Sequence, residues 1–242
     1  ACLLQPPSGR VLDQFRSDVM RCRRFCDQSG ILLSFYAWGV GDPMAWFSGV
    51  EPLLFMAVEQ PDVLRRYVDI VSSWNRKVIE LALDCGVDLV VRRGWYESTD
   101  FWSPSLYEQF FLEPLKRDVA LCHEAGALFD YVMASGTAPL LPFFAKAGVD
   151  IHSNIDPHAP NTEMKAIKSA IGGTVTLCGG INNYHVLEIG TEAEVDRAVH
   201  GAIEALGPDR CILAPSDVLT ATAQPCERNF HRMIETWKKV TW

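Results

Sequence analysis

Six times along this chain a helical stretch stops at a glycine and a short apolar run follows. Gly30 precedes ILLSFY, Gly86 precedes VDLVV, Gly126 precedes ALFDYVM, Gly148 precedes VDIHSNI, Gly173 precedes TVTLC, and Gly207 stands just before RCILA. A glycine can take the left-handed conformation that ends a helix, and an apolar run bounded in this way fits a strand buried on both faces. No hairpin signal separates the units. Buried strands alternating with amphipathic helices through short connections make a parallel sheet, either doubly wound or closed into a barrel. No Gly-rich dinucleotide fingerprint opens a helix, and functional-looking residues recur at strand ends, where a barrel gathers its active site. The sequence therefore predicts an α/β fold, a (β/α)8 TIM-type barrel in a single domain over residues 1–242. With six strands visible, one or two amino-terminal βα units are expected to be lacking.

The net charge of -8 and pI near 5.2 speak against nucleic acid or an anionic membrane as the main partner, because both demand a basic face. Small molecules and other proteins remain. The eight cysteines, scattered through helical and strand patterns, fit free thiols in a reducing cytoplasm, and no signal peptide or long apolar span is visible. A barrel short of staves exposes edge strands, which favours a homo-oligomer.

The first helix is expected from Val11 to Asp27. After Tyr36 the stretch AWGVGDPMAWFSGV reads as an apolar loop that packs over the barrel end or lines a pocket. A helix starts near Pro61, with Leu64, Val68, Val71, Trp74, Val78 and Ala82 on one face. Ser103 and Pro104 start another, which Pro114 kinks or splits. Asn161 or Thr162 caps the helix that ends at Gly172, and Thr191 with Glu194 forms a capping box. The stretch from Gly172 to Asn182 reads as a strand whose carboxyl end opens, through Gly179 and Gly180, into a loop where Cys178 meets a ligand.

Candidate chemistry sits at the strand ends. Glu97, His152, Cys178 and Asp217 come from four different ends that a barrel brings to one mouth. A carboxylate, an imidazole and a thiolate are the donors of a tetrahedral zinc site with one position open, and Glu97, His152 and Cys178 are its candidate ligands. The alternatives are an interior imidazole at His152, a small buried hydrophobe at Cys178 and a turn aspartate at Asp217; as catalytic groups, His152 and Asp217 are acid or base candidates. Period-two alternation puts His152 and Asn154 on one face of their strand. Either Arg92 or Arg93 can fork a substrate carboxylate or sit as a solvated charge or a partner of Glu97. Trp95, Tyr96 and Trp102, with Trp38 and Trp46, make an aromatic wall or simply pack the loops.

The segments FWSPSLYEQFFLEPLKRDVALCHEAGA, LLPFFAKAGVDIHSNIDP, LCGGINN, GTEAEVDRAVHGAIEALGP and ILAPSDV resemble, in that order, the uroporphyrinogen decarboxylase superfamily. That superfamily joins the decarboxylase of haem synthesis to the corrinoid-linked methyltransferases on a (β/α)8 barrel. The resemblance implies a pocket at the carboxyl face and a small-molecule substrate. Where the decarboxylase has a late Gly-His-Gly segment, this chain has Ser216-Asp217-Val218, and its arginine-rich entry motif has no counterpart. Where the zinc methyltransferases have a His-x-Cys-Gly turn, this chain has Met133-Ala134-Ser135-Gly136; Met133 and Ser135 there, and Asn182 after LCGGI, are candidate substrate contacts. The implied activity is transfer of a methyl group from a small methylated or methoxylated compound to a corrinoid protein or similar acceptor. A decarboxylase-like lyase acting on a polycarboxylate and a non-catalytic binding barrel are the alternatives.

Overall fold

The computed structural model describes residues 4, 8–219 and 224–240. The chain divides into two compact units, Ala1–Val132 with Lys146–Val149, and Met133–Ala145 with Asp150–Trp242. Most of the opening stretch, where an irregular start is expected, including Pro6 and Pro7, lies outside the described residues.

The first unit runs α1 (Arg10–Ser29), β1 (Ser34–Trp38), α2 (Gly41–Ser48), α3 (Val50–Glu59), α4 (Pro61–Asp84), β2 (Leu89–Arg93), α5 (Pro104–Phe110), α6 (Leu112–Glu124) and β3 (Leu128–Val132). β1 pairs in parallel with β2, and β2 with β3, in a register that aligns Trp38 with Arg93 and Arg92 with Tyr131. Proline at the first turn of α4 removes a donor that has no partner there, and Leu64, Val68, Val71 and Ala82 are buried as the pattern requires. The expected break near Pro114 is present: Phe111 separates α5 from α6. The apolar stretch after Tyr36 is a correction. It completes β1 at Trp38 and then folds into α2 and the start of α3, divided at Gly49 (φ 78°), and Asp42, Pro43 and Met44 are buried. Pro43 falls in the first turn of α2, where a missing N–H costs nothing.

The second unit holds α7 (Leu141–Ala147, as far as Ala145), β4 (Ile151–Ile155), α8 (Met164–Ile171), β5 (Thr176–Ile181), a π-helical turn at Asn183–Glu188, α9 (Glu192–Leu206), β6 (Cys211–Pro215) and α10 (Gln224–Lys239). β4, β5 and β6 are parallel neighbours. The α/β class and all six expected strands are therefore present. Ile181, Val186, Leu187, Val195, Val199, Ala202 and Met233 form one core on this side. The Thr191/Glu194 capping box is made in full. α8 begins later than expected, after Glu163, because Asn161 takes the left-handed conformation (φ 58°) and belongs to the preceding turn. Gly30, Gly86, Gly126 and Gly148 end helices with φ between 64° and 82°; Gly207 does not (φ -81°).

Two further expectations are corrected around β5. Gly179 and Gly180 lie inside the strand rather than in an exit loop. A Cβ on Gly179 (φ 139°) would stand 2.6 Å from the backbone nitrogen and oxygen of Ile155, and one on Gly180 would stand 2.8 Å from the Ala202 Cβ. The glycines are there for close backbone approach. The register of β4 on β5 shifts between His152 and Ile155, and Asn154 takes φ 68°. This bulge breaks the alternation that would have put Asn154 with His152. Gly179→Ala should cost about 1–3 kcal/mol, read as a lower urea midpoint at constant slope; an unchanged midpoint would contradict the close approach.

Candidate functional site

In the first unit the chain closes on one buried carboxylate. Glu97 sits in a 3-10 turn, Trp95–Glu97, just beyond β2. Its Oε1 accepts the backbone N–H of Val40 (2.5 Å) and of Gly41 (3.0 Å), and Arg92 donates to both of its oxygens at 2.9 and 3.1 Å. The Tyr131 hydroxyl donates to Oε2, and the Tyr107 hydroxyl donates to that of Tyr131 at 3.4 Å. Burial holds both phenols above their ordinary range, so they stay protonated donors. Arg92 also meets Asp118 of α6 at 3.5 Å, and Arg92, Glu97 and Asp118 are all fully buried. Three glycines permit the enclosure: a Cβ at Gly39 would stand 2.6 Å from Glu97 Oε1, at Gly41 2.7 Å from the Tyr96 carbonyl oxygen, and at Gly94 2.6 Å from the Tyr131 hydroxyl. A sealed ion cluster of this kind, with the Glu97 carboxylate fully hydrogen-bonded, orders the loop after β2 and is closed to substrate.

Arg93, one residue on, points to the other face of β2 and meets different company. Its guanidinium carbon lies 3.8 Å from the Trp95 ring centroid, 5.2 Å from that of Trp38 and 5.9 Å from that of Trp46. Asp42 Oδ1 stands 2.8 Å from its Nε as an ion pair. Trp38 and Trp46 meet edge to face with centroids 4.6 Å apart. Asp42 is fully buried while Trp46 is 51% exposed, so the cluster runs from a sealed floor to an open rim. Burial pushes the Asp42 carboxyl up to about 6, against the pull of Arg93. Of the remaining aromatics, Tyr96 stacks on Phe101, and Trp102 is buried with its Nε1 donating to the Tyr96 carbonyl at 2.7 Å. These two pack the loop.

The second unit holds the other residues expected at the site. His152 is buried, its ring 5.1 Å from that of Phe144 on α7. His152 is the register partner of Leu177, so Cys178, the next residue, points to the opposite face of the sheet from His152. Asn182 donates to both Asp156 oxygens at 3.0 and 2.9 Å and accepts from the His185 amide. Asp217 is exposed, its Oδ1 accepting the Val218 amide at 2.7 Å, which is the turn-capping role. Met133 is buried, its amide donating to the Ser153 carbonyl, and Ser135 is half-buried. Zinc held by Glu97, His152 and Cys178 does not fit this arrangement. The Glu97 oxygens are taken up by Arg92, Tyr131 and two amides, His152 and Cys178 diverge, and no group of three metal-binding side chains is found among the described residues.

A family model described as uroporphyrinogen decarboxylase (URO-D) matches residues 47–240. The chain belongs to the URO-D family. Comparison with curated protein sequences finds no match. Among solved structures, a methyltransferase from Methanosarcina mazei is similar with a TM-score of 0.74 at 17% identity, over 91% of this chain and 63% of that one. A B12-independent methionine synthase from a Shewanella species has a TM-score of 0.63 at 11% identity, over 96% of this chain and 66% of that one. The 3-keto-D-glucoside 4-epimerase of E. coli has a TM-score of 0.54 at 8% identity, over 93% and 87%. At these identities the likeness is one of fold. This URO-D chain thus spans 63% of the length of the Methanosarcina methyltransferase. Among its described residues no helix is long and apolar enough to cross a membrane.

Asp42 and Asp118 in this URO-D chain are not among the residues the sequence singled out. A signal existed for Asp118: it interrupts the buried face of α6 formed by Leu115, Val119 and Cys122. Burial raises its carboxyl to about 6 despite Arg92. A carboxyl raised on folding keeps its proton longer in the native state, so stability is highest below the unfolded value near 4 and falls as pH climbs to about 6. Each such group accounts for up to about 3 kcal/mol. Asp118→Asn should remove its share, so the stability gap between the wild type and the variant should change by up to about 3 kcal/mol between pH 4 and 7. A gap independent of pH in urea titrations would contradict the assignment.

Proposed function

We propose that this chain is the substrate-binding barrel of a methyltransferase-like URO-D enzyme, which moves a methyl group from a small methylated or methoxylated compound to a corrinoid protein or similar acceptor. The observation that carries the reading is the division of the arginine pair. Arg92 is spent inside the protein, and the exposed side of β2's end offers one cation, Arg93, among three tryptophans. One cation on an aromatic surface suits a small, largely apolar molecule. A polycarboxylate macrocycle calls for several cations, as the lyase alternative requires. Family membership and the methyltransferase fold relatives support the same reading. In it, the Trp38, Trp46 and Trp95 rings would keep water from the methyl group; a corrinoid supplied by its carrier would furnish the nucleophile, and the donor's heteroatom would leave with the bonding pair and take a proton from solvent.

The test is to mix the purified protein with reduced free cobalamin and a panel of methoxylated and methylated small molecules, following the corrinoid spectrum. The expected result is methylated corrinoid with at least one donor, dependent on Arg93 and Trp95. Carbon dioxide release from a polycarboxylate, with no methyl transfer from any donor, would overturn the reading in favour of the lyase.

A further inference from the structure

The Arg93 cluster has a more specific chemistry than a general apolar pocket. A guanidinium offers five donors in a planar fork. Nε faces Asp42, one planar face lies on Trp95, and no described residue takes a hydrogen bond or ion pair from the two terminal nitrogens. The Trp95 Nε1 donor is buried and without an acceptor among the described residues. Buried donors ordinarily have partners, so this cluster has donors to spare beside an indole rim that is half open at Trp46.

We propose that Arg93, with the indoles of Trp38, Trp46 and Trp95, forms a subsite for the carboxylate of a planar aromatic acid. The terminal nitrogens take both carboxylate oxygens side by side, and the ring of the acid lies against the exposed face of Trp46. The site is partly dry, since the Arg93 side chain is 17% exposed, so the ion pair is stronger than one in open water. Asp42 is a positioning residue: through Nε it holds the fork with its free edge outward. This subsite rests on the reading of the cluster as the substrate site and narrows that substrate to aromatic carboxylates.

A second carboxylate beside Asp42 has a consequence for protons. Asp42 faces Arg93 and Arg92 of β2, and Glu97 and the Tyr96 backbone of the 3-10 turn. Arg93 is the nearest cation, and sharing it with a bound anion weakens its hold on the Asp42 charge. Asp42 therefore takes up a proton as the ligand binds.

The experiment is titration of the full chain with benzoate near pH 6.5, followed by tryptophan fluorescence and by calorimetry in two buffers of different ionisation enthalpy. Acetate and phenol are the controls, each keeping one half of the ligand. Saturable benzoate binding, at least about tenfold tighter than either control, is expected, with net proton uptake. Arg93→Met and Trp46→Ala should each weaken it about tenfold or more, and Asp42→Asn should abolish the proton uptake per benzoate bound. Acetate binding as tightly as benzoate, or benzoate binding unchanged in Arg93→Met, would overturn the proposal. Benzoate binding without methyl transfer from any donor would leave the subsite standing and remove the transferase reading.

Discussion

Replacing Arg92 with methionine should destabilise the protein by about 3–5 kcal/mol, the range seen when one partner of a buried ion pair is removed. Methionine fills much of the stem's volume, so the loss isolates the charge. Without the guanidinium, Glu97 and Asp118 are two carboxylates at 0% side-chain exposure that have lost the cation they share, and Asp118 keeps the weaker pull of Arg76. Asp118, already raised to about 6, becomes protonated, and Glu97 keeps only Tyr131 and the amides of Val40 and Gly41. The urea midpoint should fall at an unchanged slope. Adding Asp118→Asn to Arg92→Met should cost less than the sum of the two single changes, because the residues share one network. Additive losses would show that the cluster is not coupled.

Glu97→Gln should lose about 3 kcal/mol or more, for a complementary reason. The amide matches the carboxylate in shape but brings a donor to face Arg92 and Tyr131, which are themselves donors. One of those contacts must open, and a buried donor without an acceptor is costly. The variant also carries a pH signature. The Glu97 charge is among the causes that raise Asp118 and Asp42, so removing it lowers both carboxyls. The fall in stability between about pH 4 and 6 should then shrink and shift to lower pH. A Glu97→Gln protein with wild-type stability and an unaltered pH profile would mean that the loop after β2 is ordered by something else.

Much of this architecture was legible in the sequence because it depends on local pattern. A helix that stops at Gly30, Gly86, Gly126 or Gly148 before an apolar run announces a strand, and each such strand is present. Thr191 and Glu194 announced their capping box by spacing alone. What could not be read is whatever depends on side chains far apart in the chain. The adjacent residues Arg92 and Arg93 look alike in sequence, and only the register of β1, β2 and β3 assigns Tyr131 to one and Trp38 to the other. The glycine pair in β5 resembled an exit loop, because close approach to Ile155 and Ala202 leaves no local mark. The set of Glu97, His152 and Cys178 assumed that residues at strand ends share a mouth. A strand alternates its faces, and one step along β5 is enough to turn Cys178 away from His152.

Two neighbouring arginines have opposite duties, one building the loop and the other meeting a ligand on it. The most direct test is the melting temperature of Arg93→Gln measured beside Arg92→Gln at pH 6, where Asp42 can accept a proton. Arg92→Gln should melt lower by about 6 °C or more, and Arg93→Gln should stay within about 3 °C of the wild type. An Arg93→Gln protein that melts as low as Arg92→Gln would show both arginines to be structural and would contradict the assignment of Arg93 to a ligand.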